Sequence, residues 1–142
     1  MGLDLYCNGK SEKCGSYNMV QTIRYLLLVG LKYYLETEHM DKEEEIDYIV
    51  SLLGKSNQVV YEKYCSVKNS KLKVLGVYGL LPFIFHSDCD GRLSSYEAKI
   101  FMDAWEKTKE YMDDSLKYYN DEFYLQDIFE ESIESDEEIC FC

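Results

Sequence analysis

The sequence predicts an α+β fold that is mostly helical and contains a small β-sheet. Apolar residues make up 46% of the chain and aromatic residues 15%, which is typical of a protein that folds around a core. Pro82 is the single proline, and a chain with so few prolines favours long helices. A length of 142 residues fits one domain of ordinary size. We predict a globular α+β domain over residues 1–119 and an acidic C-terminal segment over 120–142, helical at first and then loose.

The N-terminal part of the chain predicts a strand, a loop and two helices. The stretch GLDLYC alternates apolar and polar residues, as a short strand does. NGKSEKCGS is rich in turn-forming residues and predicts a loop. Ser16 is a candidate N-cap for a helix through YNMVQTIRYLLLVGLKYYLE, whose apolar residues recur at helical spacing. A second helix is expected from about Asp41, where acids fill the first turn, to Gly54, a residue type that commonly ends helices.

The middle of the chain gives a mixed pattern. The stretch NQVVYEKYCSVKNSKLK alternates like a strand but also fits a helix. LKVLGVYGLLPFIF predicts one or two buried strands, broken at Gly79 or Pro82. Two further helices are expected, the first of which starts at Ser94 or Ser95. The residues expected to face the core are Ile100, Phe101, Ala104, Trp105, Thr108 and Met112 in the first of these helices, and Leu125, Ile128, Phe129 and Ile133 in the second.

The negative charge is concentrated near the C terminus. Residues 110–142 contain twelve acids and one lysine, Lys117, and therefore carry −11 of the total charge of −12. A protein of this charge is not expected to bind nucleic acid directly, because such binding depends on lysine and arginine neutralising phosphates. The negative segment is instead expected to attract a protein with a basic surface.

Six cysteines allow disulfides or a zinc site. MGLDLYCNG lacks the basic start and the long apolar region of a signal peptide, and YLLLVGL and VLGVYGLLPFIF are too short to span a bilayer. We therefore expect a protein of the cytosol with reduced thiols and no membrane association. Cys7 with Cys14, or Cys140 with Cys142, are alternative zinc ligands, although neither pair has the two-residue spacing of a zinc knuckle.

The stretch HSDCDGRLSSYE predicts either a metal site or a capped turn. It resembles a degenerate EF-hand loop, with Asp88, Asp90 and Glu97 at ligand positions and Gly91 at the sharp turn, but with His86 where the family has Asp. One imidazole with carboxylates suits Zn, Mn or Fe(II) better than Ca, and such a divalent metal can activate water for hydrolysis. The structural alternative is a turn in which the aspartates bond backbone N–H groups and a serine caps the next helix.

Three stretches together resemble a family of small proteins encoded mainly by bacteriophages and prophages. GLDLYC, CGSYNMVQTIRYL and HSDCDGRLSSYEAK follow the order of the family pattern GLD…GSY…R…HSDCDG…E, over about two thirds of the chain. HSDCDG is the specific part of this pattern. The resemblance implies a phage setting and one site that unites the shared residues, which are Asp4, Ser16, Tyr17, Arg24, His86, Asp88 and Asp90.

The sequence CGSY at the start of the first helix predicts a site for a small ligand. Backbone N–H groups at a helix N terminus bind anions, and Arg24, two turns further on, can reach a phosphate or a carboxylate. Together with Asp4, Ser16 and Tyr17 it forms a candidate site for a signalling nucleotide. The structural alternative is a salt bridge from Arg24 to an aspartate of the HSDCDG turn.

Acids alternate with aromatic residues between Tyr111 and Phe141. Such a surface can occupy a basic groove that normally binds DNA or RNA, with the aromatic side chains as apolar anchors. The favoured hypothesis is a phage-encoded, non-enzymatic inhibitor of a bacterial defence nuclease, such as an anti-CRISPR protein. A solvated acidic helix is the alternative, and the many tyrosines also permit a homodimer. The predicted partner-binding residues are Asp113, Asp114, Asp121, Glu122, Phe123, Tyr124, Asp127, Phe129, Glu130, Glu131 and Glu134.

Overall fold

The computed structural model describes residues 2–41, 43–52, 76–85, 91–118 and 121–141. These residues form an α+β fold in which helices account for most of the regular structure and pack against a small antiparallel sheet. The predicted fold class is therefore confirmed. The ambiguous stretch before residue 76 and the segment 86–90 lie outside the described residues. In the part of the chain that is described, no helix combines the length and the apolar character needed to cross a bilayer.

Strands β1 (Gly2–Cys7) and β2 (Lys10–Ser16) form an antiparallel hairpin. Asn8 and Gly9 make its two-residue turn, and both have the positive φ that an Asn-Gly hairpin turn requires, at 51° and 82°. The predicted first strand is confirmed, but the loop predicted over NGKSEKCGS is wrong, since pairing resumes at Lys10. Strand β2 lies at the edge of the sheet, where exposed polar side chains hide the alternation typical of a strand.

Strand β6 (Ile139–Phe141) lies between β1 and β3 (Arg92–Leu93), so the sheet order is β2-β1-β6-β3. The backbone N–H of Phe141 also donates to the carbonyl oxygen of Gly91 at 2.9 Å. Ile139 and Phe141 are buried, because alternate residues of a strand face the core. The prediction of a loose C-terminal end is therefore wrong. These residues form an inner strand of the sheet.

Helix α1 (Tyr17–Glu38) follows β2 directly. Ser16 is its N-cap, as predicted, and Ser16 Oγ accepts a hydrogen bond from the Met19 N–H at 3.2 Å. The predicted second helix is α2 (Glu43–Leu52), which packs against α1. The inner face of α1 is apolar at helical spacing, and its fully buried residues include Leu27, Leu31 and Leu35.

The described part of the apolar stretch LKVLGVYGLLPFIF forms helical turns and not the predicted strands. Val77–Leu80 is a 3₁₀ turn, and Leu81–Phe85 is a short helix, α3. Pro82 occupies the first turn of α3, where the missing N–H leaves no helical hydrogen bond unmade. The strand prediction is wrong here because a short apolar run fits a buried helix as well as a buried strand.

Helix α4 (Ser95–Thr108) starts where the sequence predicts. Ser94 Oγ accepts the Glu97 N–H at 3.1 Å, and the Glu97 carboxylate accepts the Ser94 N–H at 3.0 Å, which completes a capping box. The predicted inner face is confirmed for its buried members, which are Phe101, Ala104, Trp105 and Thr108.

Phenylalanine side chains from α3, α4 and the C-terminal elements form the centre of the core. Strands β4 (Lys117–Tyr118) and β5 (Glu122–Phe123) pair as a small second sheet, and helix α5 (Gln126–Ser135) follows as predicted. The prediction that Ile133 faces the core is wrong, since this side chain is 37% exposed. The Phe101 ring centroid lies 4.9 Å from that of Phe123 and 4.7 Å from that of Phe129. Phe123 and Phe129 are 1% and 0% exposed, so the prediction that they contact a partner is wrong.

Candidate functional site

Helix α5 separates apolar residues from acidic ones. Its buried side carries Ile128, Phe129 and Ser132. The spacing i, i+3, i+4, i+7 places four carboxylates away from the core, and these belong to Asp127, Glu130, Glu131 and Glu134. The helix keeps this orientation because turning it over would expose a phenylalanine and bury charge.

The carboxylates of α5 line a groove between this helix and the β1–β2 hairpin, which we call the acidic groove. Its volume is about 280 Å³. It contains five carboxylates and one ammonium group, a net charge of −4. The residues that line it are Lys10, Glu12, Asp127, Ile128, Glu130, Glu131 and Glu134.

Glu131 joins α5 to the hairpin. Lys10 Nζ donates to Glu131 Oε2 at 2.8 Å, and Asn8 Nδ2 donates to Glu131 Oε1 at 3.0 Å. The hydrogen bonds from Lys10 and Asn8 lower the pKa of Glu131, and Glu131 in turn raises the pKa of Lys10. Both groups are therefore charged near neutral pH. The exposed carboxylates of α5 then supply the outward negative charge of the groove.

Glu12 is a groove residue that the sequence analysis missed. It lies on β2 opposite Leu5 of β1, two residues from Lys10 and hence on the same side of the strand. The spacing of two between Lys10 and Glu12 could have indicated that both side chains lie on one side of a strand. The sequence of this stretch, however, predicts a loop, and only its pairing with β1 shows that it is a strand. Glu12 brings a carboxylate from the N-terminal hairpin to those of the C-terminal helix.

A second group of acids flanks the other side of the hairpin turn. Asp136, Glu137 and Glu138 line a groove of about 560 Å³ together with residues of the turn, and Lys10 lines this groove as well as the acidic groove. Arg92 Nη1 lies 3.5 Å from Glu138 Oε2, with both side chains more than half exposed. Acids from α5 and from the loop that follows it thus line two grooves that meet at Lys10 of the hairpin.

The predicted acids between residues 113 and 122 form a separate group. Lys117 Nζ lies 3.7 Å from carboxylate oxygens of both Asp114 and Asp121. Asp113 Oδ1 accepts the Ser115 hydroxyl at 2.6 Å and the Ser115 N–H at 2.8 Å, and these bonds lower the pKa of Asp113. The exposed Glu122 completes this group. None of these residues lines the acidic groove as described, so the predicted partner surface divides in two.

Tyr124 is half-buried, with its hydroxyl beside the Cys14 thiol. Burial raises the pKa of Tyr124, and proximity to Cys14 raises it further. Burial also raises the pKa of Cys14 to about 12. Neither group therefore ionises near neutral pH, and the pair is a neutral part of the interior. Among the aromatic residues of this segment that the structure describes, Tyr118 is exposed, at 56%.

Two charged residues of the predicted small-ligand site, Asp4 and Arg24, influence the buried thiol of Cys14. Asp4 raises the pKa of the Cys14 thiol and Arg24 lowers it, which places both charged groups near this buried sulfur. Arg24 is itself 3% exposed. Ser16 Oγ is engaged in capping α1, and the side chain of Tyr17 lies outside the described residues. Arg24 is therefore buried, whereas Asp4 is half-buried and its carboxylate accepts a hydrogen bond from the Tyr6 hydroxyl at 3.4 Å.

The predicted metal site falls largely outside the described residues, since His86, Asp88 and Asp90 belong to the segment 86–90. The remaining predicted ligand, Glu97, accepts the Ser94 N–H in the capping box. Within the described ranges, no group of three or more His, Cys, Asp or Glu residues could hold a metal ion.

Comparison with known proteins found no relative of this chain. No protein-family model, curated protein or solved structure matches the chain. The resemblance to phage-encoded proteins therefore stays a prediction, and the geometry of the acidic groove is the main guide to function.

Proposed function

We propose that this protein binds a basic surface of a host protein through its acidic groove and is a non-enzymatic, phage-encoded inhibitor. The proposed partner is a nuclease or another nucleic-acid-binding effector of bacterial defence. The observation that carries this proposal is the collection of five carboxylates and one ammonium group along a single groove. Charge of one sign on a fixed surface raises the rate and the specificity with which an oppositely charged partner binds.

The spacing of charge along α5 supports a target that normally binds nucleic acid. Asp127 and Glu134 are seven residues apart, which is about 10 Å along a helix axis. A nucleic-acid strand carries one phosphate per about 3.4 Å, or about three over the same length. Asp127, Glu130 and Glu134 supply three exposed carboxylates over that distance, in addition to Glu131. The edge of this helix therefore presents negative charge at a linear density close to that of one strand of a DNA duplex.

The packing of the site supports recognition by a preformed surface. Ile128 and Phe129 fix α5 to the core, and Glu131 fixes it to the hairpin. Because the helix backbone that carries these carboxylates is already fixed, binding orders only their side chains and not the segment as a whole, so more of the electrostatic attraction contributes to affinity. The buried Phe123 and Phe129 leave the contact mainly polar, in place of the aromatic anchors that the sequence predicts.

The first experiment is affinity capture from a bacterial host that expresses defence nucleases. The tagged protein is incubated with lysate at about 0.1 M and about 0.5 M salt, because attraction between exposed charges weakens as ionic strength rises. Mass spectrometry then identifies captured proteins, and a nuclease assay tests whether each is inhibited. We expect a basic, nucleic-acid-binding protein that is captured at low salt and largely lost at high salt.

A charge-neutralised variant links the captured partner to the groove. In D127N/E130Q/E134Q the exposed carboxylates of α5 become neutral amides, and we expect the affinity to fall at least about tenfold with a weaker salt dependence. The matched control is D47N/D103N/E110Q, which removes the same charge from exposed acids of other elements and is expected to bind nearly as well as wild type. Full inhibition by the α5 variant at both salt concentrations would refute the proposal.

A further inference from the structure

The outer face of α1 carries large apolar side chains and little charge. Met19, Tyr25, Val29 and Tyr33 expose 53%, 51%, 36% and 55% of their surface. Arg24 is the only charged residue between Tyr17 and Leu31, and it is buried. An exposed apolar surface that contains tyrosine and methionine but no charge is typical of a protein interface.

The other long helices that the structure describes differ from α1 in this respect. Each carries exposed charged residues along its outer face: Glu43, Glu44 and Asp47 on α2; Lys99, Asp103, Glu106 and Lys107 on α4; and Asp127, Glu130 and Glu134 on α5. Apart from the buried Arg24, charged residues appear on α1 only in its C-terminal half, where Lys32 Nζ lies 3.2 Å from Glu36 Oε1. In a chain with a net charge of −12, the outer face of α1 is therefore distinct.

We propose that a second copy of this chain packs on the outer face of α1, with the two α1 helices antiparallel about a twofold axis near Val29. Tyr25, Val29 and Tyr33 lie at i, i+4 and i+8, so they form one ridge along the helix. A small side chain, Val29, lies between two large ones, Tyr25 and Tyr33, so the ridge has the same order of sizes from either end. A twofold axis at its centre places Val29 against Val29 of the second copy and each Tyr25 beside a Tyr33, which is the self-complementarity that an isologous interface requires.

The absence of charged side chains on the ridge of α1 makes a second copy of this chain possible as the occupant, although the two copies repel one another overall. Two copies that each carry −12 repel one another, and the repulsion is strongest where acidic faces meet. The uncharged ridge of α1 lets two copies approach without bringing carboxylates together. Its half-exposed side chains and their polar neighbours on two copies amount to an interface on the order of 1,000 Å², the size at which specific interfaces begin. We therefore expect a dimer that forms at micromolar concentrations.

Analytical ultracentrifugation from about 1 to about 100 μM tests the proposal, since this range brackets the expected dissociation constant. We expect wild type to change from monomer to dimer across this range. V29D places one carboxylate from each copy at the twofold axis and is expected to raise the dimer dissociation constant at least about tenfold. The control Y96D introduces the same charge in the first turn of α4, where helix N termini tolerate acids, and is expected to dimerise like wild type.

Circular dichroism of each variant establishes that it is folded, and Y25T provides a second, uncharged disruption of the ridge. A wild-type monomer at all concentrations, or a V29D protein that dimerises fully, overturns the proposal. Salt dependence separates this dimer from the proposed function. Screening weakens like-charge repulsion, so higher salt should strengthen dimerisation while it weakens capture of a basic partner by the acidic groove.

Discussion

Lys10 of the first hairpin and Glu131 of α5 lie 2.8 Å apart, measured from Nζ to Oε2, although 121 positions separate them in the chain. The contact brings the N-terminal hairpin to the C-terminal helix. It is also the place where Glu12 meets the carboxylates of α5. The acidic groove is thus a product of long-range packing, and each of its two walls comes from a different end of the chain.

Replacing Glu131 by Gln should lower stability at neutral pH but not in acid. The pKa of Glu131 is lowered in the folded protein, so its carboxylate stabilises the fold above the ordinary glutamate pKa of about 4.3, and this contribution disappears as the pH falls through the lower folded value. Thermal unfolding at about pH 7 and about pH 2.5 measures the difference. E134Q on the same helix is the control and should unfold like wild type. An equal loss at both pH values would rule out the carboxylate charge as the cause.

Replacing Phe129 by Ala should destabilise the fold by about 3–5 kcal/mol, because the substitution leaves a cavity in a packed aromatic core. The control Y118A truncates an aromatic side chain that is 56% exposed and should cost less than about 1 kcal/mol. Urea unfolding gives both values. If F129A kept wild-type stability and lost only partner binding, Phe129 would be a surface anchor after all.

Deleting residues 139–142 should unfold or strongly destabilise the protein. The deletion removes strand β6 from between β1 and β3 and exposes the sites of Ile139 and Phe141, each worth about 1.5–3 kcal/mol of burial. C140S keeps the strand and changes one half-buried side chain, so it should remain folded. Circular dichroism and limited proteolysis distinguish the two. A truncated protein with wild-type resistance to protease would restore the prediction of a loose end.

Substitutions at Glu97 separate its capping role from a role as metal ligand. Glutamine also completes a capping box, so E97Q should keep the stability of wild type, whereas E97A should lose up to about 1 kcal/mol. A chelator should change neither result. If E97Q were as destabilising as E97A, and if the chelator lowered the melting temperature of wild type, these results would favour a metal site in the HSDCDGRLSSYE stretch over a capped turn.

Features that depend on neighbouring residues could be predicted from the sequence. Ser16 and Ser94 cap their helices because an N-cap acts only on the next turn, and the inner face of α4 follows from its helical period. The predicted acidic face is partly correct for the same reason, since the carboxylates of α5 share a side by spacing alone. Whether Phe129 points to solvent or to the core depended on what packs against α5, and the acid-rich sequence around it suggested the wrong answer.

The sequence by itself determined the fold class, the caps and periods of the main helices, and the excess of negative charge towards one end. Only the tertiary structure decided that β2 is a strand, that β6 lies inside the sheet, and that Glu12 joins the acids of α5. The physical reason is the separation in sequence over which each interaction acts. Capping and periodicity act over a few residues, whereas strand pairing and the lining of a groove depend on segments that are distant in sequence and meet only when the core forms.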